Sequence, residues 1–372
     1  MTTIMLIFVT ALFFAGAGTP LVRRVAIKSG FIAVPKADRA HTEPTALMGG
    51  LAIYGGAVIG LLLVIIVVTQ LFGNPLKLQE FVSILMGASL MAAIGLWDDR
   101  RALPPWVKLG LQFLIVPLVF MAGVQVQLPL INLPVWDGLL NFVVTACWIL
   151  FITNAVNYLD NADGIAIMTS ATTSAIFMLI AILNRQELVS VLAAAVLGAS
   201  LGFARYNLPL PKSTIFMGDS GSLFLGYLLA ILGIKIRIPL NDIQITWMVP
   251  IIVLGLPIFD TTLVLISRLR RGISFFRGGV DHTTHRLARL GLNGLAVALA
   301  VSLINGWLGL VAIFITQASL TEAYFVLGAL VCVALYLLWR LEFKASYHLR
   351  TGTAAPPVIS SISNIGEAPP KA

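Results

Sequence analysis

Long apolar runs alternate with short polar segments along most of this chain. The runs are continuous, without the two-residue alternation of membrane β-strands, and many approach the roughly 20 residues that a helix needs to cross a bilayer. The pattern predicts an all-α polytopic integral membrane protein with about eleven transmembrane helices. The predicted spans are residues 1–22, 46–71, 81–97, 107–123, 139–156, 165–183, 188–203, 221–238, 245–266, 292–316 and 322–341.

The basic residues orient these spans. About twenty of the 24 Lys and Arg fall on one side, and only Lys77, Arg185, Lys235 and Arg237 fall on the other. Because cytoplasmic loops are enriched in Lys and Arg, the N-terminus is predicted outside and the C-terminus in the cytoplasm. Segment 1–22 has no basic residue before its apolar run, unlike a signal peptide, and is predicted to remain as the first span.

Composition supports a membrane protein. Of the 372 residues, 59% are hydrophobic and only 11% are charged, and the mean hydropathy is +0.97. The net charge of +8 reflects the cytoplasmic loops and gives no indication of nucleic acid binding. Cys147 and Cys332 fall inside spans, so no disulfide is expected. Residues 1–345 are predicted to form one membrane domain, and 346–372, rich in Pro, Ser and Ala, a disordered cytoplasmic tail.

A polar segment, NAVNYLDNADG, separates two of the apolar runs. Asn154, Asn157 and Asp160 recur every three residues, so they fall near one face of a helix, and Asp163 continues the series. Gly164 allows the chain to turn. Oxygen ligands at a membrane edge suit Mg²⁺ or sugar hydroxyls, whereas the alternative is an Asn/Asp-rich turn without a ligand.

Further carboxylates occur at other span ends. Asp98 and Asp99 end the third span, where a divalent cation would relieve their repulsion; the alternative is a solvated helix end neutralised by adjacent arginines. Asp219, in the segment FMGDSGS, is either a third carboxylate at the same level, beside glycines that let a phosphate approach the helix N-terminus, or the N-cap of the next helix. Asp260 lies about two turns inside its span, so it either belongs to a site or bonds a neighbouring helix or loop backbone.

Two cytoplasmic loops carry the basic side chains that could hold phosphate. A merely positive-inside loop is the alternative for both. A zinc site on the His pair of the second loop lacks a nearby third ligand. The candidates are Lys36, Arg39 and His41 in the first loop, His282, His285 and Arg286 in the second, and Lys108 at the start of the fourth span.

All these polar groups except Asp260 fall on the predicted cytoplasmic face. Carboxylates, amides and basic groups on one face indicate a metal-assisted site for an anionic, phosphate-bearing substrate. A transporter would instead place charges at mid-membrane and show repeat symmetry. An intramembrane aspartyl protease would need a G-x-G-D segment, and residue 216 is Phe.

These motifs, in this order, resemble the polyprenyl-phosphate N-acetylhexosamine-1-phosphate transferase superfamily over most of residues 20–300. The matching segments are the Asp98-Asp99 pair, N-A-V-N-x-x-D-N-x-D-G, F-M-G-D-S-G-S and H-T-T-H-R. The resemblance implies that a polyprenyl phosphate attacks the β-phosphate of a UDP-sugar in the presence of Mg²⁺, for which Mn²⁺ could substitute. The products would be a lipid-diphosphate sugar and UMP.

The resemblance also implies roles for single residues. Asp219 and Asn157 would bind the metal, Asp98 and Asp99 would orient metal and lipid phosphate, with Asp98 a candidate base, and Asp160 and Asp163 would serve the sugar nucleotide and the metal. Substrate contacts would come from Asn154, Lys108, His282, His285, Arg286, Lys36, Arg39 and His41.

Two positions depart from the family pattern. Ala102 replaces an acidic residue found in many relatives, and Thr284 replaces the middle His of the His loop. The D-N-A-D-G wording, the His loop and eleven spans are more similar to the branch that transfers GlcNAc-1-phosphate to undecaprenyl phosphate. The phospho-MurNAc-pentapeptide transferases of peptidoglycan synthesis are the alternative branch. Either branch implies the bacterial cytoplasmic membrane, and a homodimer remains open.

Overall fold

The computed structural model describes residues 1–33, 45–72, 78–127, 134–210, 212–239, 241, 243–276 and 278–344. These residues are almost entirely helical, apart from one hairpin of two-residue strands, β1 (Ile32–Ala33) and β2 (Thr45–Ala46), and connecting turns. In chain order the helices are α1 (Thr2–Lys28), α2 (Gly49–Phe72), α3 (Leu78–Arg100), α4 (Pro105–Phe113), α5 (Val116–Met121), α6 (Pro134–Leu159), α7 (Ile165–Leu183), α8 (Glu187–Asn207), α9 (Gly218–Lys235), α10 (Ile243–Thr246), α11 (Met248–Val253), α12 (Gly255–Arg270), α13 (Thr283–Arg289), α14 (Gly294–Ile315) and α15 (Leu320–Trp339), followed by a π-helical turn at Arg340–Lys344.

Seven helices in the described part of the chain are long and apolar enough to cross a membrane: α1, α3, α6, α7, α8, α14 and α15. The predicted class, an all-α multi-pass membrane protein, is therefore confirmed. The other four predicted spans coincide with α2, with α4 and α5, with α9, and with α10 to α12. The count of eleven spans and their orientation stay predictions.

Helix α9 is the centre of the helical assembly. Every residue from Ser220 to Ile234 is buried, because α2, α3, α6 and α8 surround the helix. A helix that is apolar on all sides is expected in such a position. The polar N-terminal turn of α9 is therefore held where several other helices end, and it is the reference point for the candidate site.

Glycines allow two helices to approach this turn closely. A Cβ on Gly95 of α3 would lie 2.3 Å from the carbonyl oxygen of Asp219, and one on Gly50 of α2 would lie 2.1 Å from the backbone nitrogen of Gly221. The backbone nitrogens of Gly49 and Gly50 also donate to the carbonyls before α9, at 2.9 and 2.8 Å. Small residues thus replace the apolar side-chain packing that usually separates membrane helices.

The hairpin fixes both ends of the loop between α1 and α2 beside α9. Strand β1 pairs antiparallel with β2, and Ala46 forms a parallel bridge with Ile215. The three candidates of this loop, Lys36, Arg39 and His41, lie outside the described residues, as does the predicted tail 346–372. Cys147 and Cys332 are free, as predicted.

The contact between α3 and α9 predicts a strong effect of one added methyl group. Gly95→Ala should lower the free energy of unfolding by about 1–3 kcal/mol, because the new Cβ overlaps the backbone of α9. Gly55→Ala in α2 is the matched control, since a Cβ there meets nothing within 4 Å. Thermal unfolding in detergent measures both, and equal unfolding temperatures would contradict the close contact.

Candidate active site

Four helices bring polar side chains together at the N-terminal end of α9. The ammonium of Lys108 (α4) lies 2.9 Å from Asp98 Oδ2 (α3), contacts Asp219 Oδ2 (α9), and lies 3.4 Å from Asn157 Oδ1 (α6). Asn157 Nδ2 donates to Asp219 Oδ1 at 2.9 Å. The Lys108 side chain is only 14% exposed. Residues up to 121 positions apart in the chain thus form one cluster, and all four were predicted from the sequence as site residues.

Asp99, next to Asp98, binds the backbone of α9. Its two carboxylate oxygens accept the N–H groups of Asp219 at 2.8 Å and Ser220 at 3.0 Å. Gly218 has φ +72°, and a Cβ there would lie 2.7 Å from Asp99 Oδ2, so glycine suits this position on both counts. The side chain of Asp219 caps nothing, and the capping alternative for Asp219 is wrong. Asp99 supplies the cap from another helix and leaves Asp219 to the cluster.

A second layer of polar groups holds the amides of α6. Asn157 Nδ2 also donates to Ser222 Oγ at 2.8 Å, and Asn154 Nδ2 donates to Gln112 Oε1 at 2.7 Å. Asn154 and Asn157 therefore share a helix face, as predicted. Gln112 and Ser222 were not among the predicted residues. An amide inside an apolar helix was the available signal for Gln112.

Asp160 and Asp163 lie in the turn after α6, not on the helix itself. Gly164 takes φ +78°, which confirms its predicted role in turning the chain. The turn is tied to α8, because the Gly164 N–H donates to Asn207 Oδ1 at 3.1 Å. Asn207 Nδ2 in turn donates to the carbonyl of Ile215, also at 3.1 Å, so one amide joins this turn to the segment before α9.

The Asp160 carboxyl group is surrounded by negative charge. Burial, and then repulsion from Asp219, Asp163 and Asp99, raises the pKa of Asp160 well above its ordinary value. Within the described residues its carboxylate makes no hydrogen bond or ion pair. A cation nearby would stabilise the ionised form.

The carboxylate and amide oxygens suit a hard divalent cation in chemistry. Among the residues that the structure describes, however, no three Asp, Glu, His or Cys side chains are arranged around a common point for a metal. Lys108 instead supplies the positive charge between Asp98 and Asp219. These oxygen ligands are therefore of the type that binds a divalent cation, and in this structure the Lys108 ammonium balances the carboxylate charge.

Asp260, which is fully buried, anchors the His loop, the segment before and into α13 that carries H-T-T-H-R at residues 282–286. Its Oδ2 lies 2.8 Å from His282 Nδ1, and its Oδ1 accepts the Thr283 N–H at 2.6 Å. The alternative that Asp260 bonds a loop backbone is thus confirmed. Since a carboxylate only accepts, Nδ1 carries the proton and Nε2 is left for another partner. Thr284 donates to Asn161 Oδ1 at 2.5 Å and joins the loop to the turn after α6.

His285 and Arg286 follow on α13. Burial, and then the nearby His282, lowers the pKa of His285 to about 4, so its ring is neutral at pH 7. Its Nδ1 is buried and has no hydrogen-bond partner among the described residues. Arg286 is buried as well and contacts Glu342, Ser267 and the Asp281 carbonyl.

Comparison with known proteins identifies the family. The profile of Glycosyl transferase family 4 matches residues 81–237, which include Asp98, Asp99, Lys108, Asn157 and Asp219. A Bacillus subtilis (strain 168) protein, described as a probable undecaprenyl-phosphate N-acetylglucosaminyl 1-phosphate transferase, is 31% identical over 337 residues. That alignment covers 89% of this chain and 90% of the relative. The chain belongs to glycosyl transferase family 4.

Other members of glycosyl transferase family 4 separate the two branches. The Mycobacterium leprae decaprenyl-phosphate N-acetylglucosaminephosphotransferase is 28% identical, over 82% of this chain and 81% of its own length. The Streptococcus mutans phospho-N-acetylmuramoyl-pentapeptide-transferase is 29% identical, over 50% of this chain and 52% of its own. The relatives named for N-acetylglucosamine align over most of both chains, which confirms the predicted branch.

The Asp99 cap predicts a stability effect that does not depend on turnover. Asp99→Ala removes both acceptors from the N-terminus of α9 and should cost about 1–2 kcal/mol of unfolding free energy. Asp99→Asn keeps one acceptor oxygen and should cost less. Thermal unfolding in detergent measures both variants, and an unchanged unfolding temperature for Asp99→Ala would refute the cap.

Proposed function

We propose that this protein transfers GlcNAc-1-phosphate from UDP-GlcNAc to undecaprenyl phosphate or a similar polyprenyl phosphate. The products are the lipid-diphosphate GlcNAc and UMP. The observation that carries the proposal is the cluster of Asp98, Asp219 and Asn157 around Lys108, in a chain of this family. The relatives' names supply the sugar and the lipid class.

Positioning accounts for most of the catalysis in this proposal. A phosphate monoester has a second pKa near 6, so the lipid phosphate is largely ionised at neutral pH and needs little help from a base. The main barrier is bringing two anions together in line. Lys108 supplies the positive charge of the cluster. The phosphate oxygen of an arriving substrate would compete with the carboxylates of Asp98 and Asp219 for its ammonium group.

Mg²⁺, or Mn²⁺ in its place, is part of the proposal. Asp219 and Asn157 are the proposed holders, with Asp160 and Asp163 beside them. When bound, the ion would neutralise the diphosphate of the sugar nucleotide. The support is the crowding of carboxylates around Asp160, which lacks a positive partner within the described residues.

The remaining roles concern substrate contacts and cell location. Nε2 of His282 is proposed to contact the diphosphate of the sugar nucleotide, and His285, neutral at pH 7, can do so as a hydrogen-bond donor. Asn154, one turn before Asn157 on α6, is proposed to contact the substrate. The proposed location is the cytoplasmic membrane of a bacterium, with the site on the cytoplasmic face where UDP-sugars are available. Dimerisation stays a prediction.

The substrate is tested by UMP release from the purified protein in detergent with undecaprenyl phosphate and Mg²⁺. UDP-GlcNAc and UDP-MurNAc-pentapeptide are offered separately, and we expect UMP from UDP-GlcNAc alone. Asp219→Asn is the site control and should abolish release while leaving the thermal unfolding transition in place. Release from the muramyl substrate alone would move the protein to the peptidoglycan branch, and no release from either would reject GlcNAc transfer.

The metal is tested through Asp160 and without turnover. An unfolded Asp titrates near 3.8, whereas the folded group holds its proton to higher pH, so this residue costs stability as the pH rises from about 4 toward its folded pKa. In EDTA at pH 7.5, Asp160→Asn should therefore unfold at a higher temperature than the wild type. At pH 4 the two proteins should converge.

Mg²⁺ should reverse that order by binding the folded state. We expect it to raise the unfolding temperature of the wild type and to do so much less for Asp160→Asn. Glu187→Gln, which alters an exposed carboxylate at the start of α8, is the control and should respond to Mg²⁺ as the wild type does. An equal Mg²⁺ shift in all three proteins would reject a metal at Asp160.

A further inference from the structure

We propose that Glu342, beyond the C-terminal end of α15, is a positioning residue that holds the His loop in its substrate-binding place. The proposal rests on the proposed function, because the loop carries His282 and His285. It adds the last membrane helix to the machinery of the site, although the family profile ends at residue 237.

Glu342 is a buried carboxylate between two arginines. Its side chain is 3% exposed, its Oε2 lies 2.8 Å from Arg286 Nη2, and its Oε1 lies 2.8 Å from Arg270 Nη2. The Arg270 guanidinium also lies 4.9 Å from the ring centroid of Phe343. Buried charges with this geometry fix relative positions, whatever their net contribution to stability.

Arg286 is fully engaged in holding elements together. Its Nε donates to the Asp281 carbonyl at 3.1 Å, its Nη2 lies 3.4 Å from Ser267 Oγ, and its Nη1 donates to the Leu341 carbonyl. Helix α12, the loop and the π-helical turn are therefore joined through one guanidinium. These contacts favour a positioning role over the phosphate contact predicted for Arg286 from the sequence.

A clamp, formed by the Glu342–Arg286 ion pair, holds α13 at a second point besides Asp260. Asp260 holds the first residues of the helix, His282 and Thr283, and Glu342 holds Arg286 one turn later. His285 lies between these two anchors. Releasing one anchor would allow α13 to rotate about the other and move both histidines.

The rest of α15 is largely exposed, so its C-terminal end is the part that makes buried polar contacts. None of the residues in its most apolar 18-residue stretch is buried, and Phe325 is 78% exposed. The chain then changes to a π-helical turn, a rare geometry that is often found at functional sites. In the described residues, this turn is where α15 meets the buried ion pairs of the loop.

The test compares Glu342→Gln with two matched controls. Arg340→Gln alters an exposed charge on the same turn, and Glu322→Gln alters an exposed Glu at the other end of α15. UMP release is measured against UDP-GlcNAc and against the lipid separately. We expect Glu342→Gln to raise the KM for UDP-GlcNAc at least tenfold and to change the KM for the lipid less than twofold. Both controls should match the wild type.

A merely structural role gives a different result. Loss of folded protein lowers the apparent kcat and leaves both KM values unchanged, and that outcome would overturn the proposal. Glu342→Asp keeps the charge on a shorter side chain and should recover part of the lost affinity. It also carries the test if Glu342→Gln does not fold.

A second measurement needs no turnover. Trypsin should cleave between residues 268 and 289 at least fivefold faster in Glu342→Gln than in the wild type or Arg340→Gln, because the loop is released. Faster cleavage with unchanged KM would overturn the positioning role, and unchanged cleavage would overturn the clamp. If the wild type itself releases no UMP, GlcNAc transfer fails and the cleavage rates alone decide on the clamp.

Discussion

The ammonium of Lys108 between the carboxylates of Asp98 and Asp219 is the interaction on which the rest of the site depends. These groups lie largely out of water, where an unpaired charge costs several kcal/mol, so each must find its partner. The three side chains come from α3, α4 and α9. For these side chains to pair, the ends of the three helices must lie at the same level, and each helix must be rotated about its axis so that its side chain faces the others.

The backbone contacts of α9 satisfy that requirement. Gly95 and Gly50, which have no side chains of their own, bring α3 and α2 against the first turn of α9. Neighbouring residues of a helix point about 100° apart, so Asp98 and Asp99 can serve different partners. Asp98 faces Lys108, while Asp99 reaches the α9 backbone. Of these two identical side chains, one forms an ion pair and the other caps a helix.

The class of the protein and the main acidic residues could be predicted from the sequence for a simple reason. A membrane-spanning chain tolerates few polar residues, so clusters such as Asp98-Asp99 and Asn157 to Asp163 stand out against their surroundings. The position of Asp219 at the start of a helix was also predictable, but its freedom from capping was not. That freedom depends on Asp99, which lies 120 residues away in the chain.

Single polar residues were harder to predict. Gln112, Asn207 and Glu342 lie outside the polar motifs of the sequence, and their partners lie 42, 43 and 56 residues away. Nothing local distinguishes a buried Glu at a helix end from a solvated one. Helix interruptions were missed for a related reason, since the apolar run 107–123 continues through the break between α4 and α5 while the backbone does not.

The contacts of Asn207 depend on its side chain being an amide and not a carboxylate. Its amide has two unlike ends: the oxygen receives the Gly164 N–H, and the nitrogen gives to the Ile215 carbonyl. A carboxylate of the same shape has two like ends and would set an oxygen against that carbonyl. Deamidation of Asn207 to aspartate would therefore replace the hydrogen bond to the Ile215 carbonyl with a repulsive contact, and the turn after α6 would lose its link to the segment before α9.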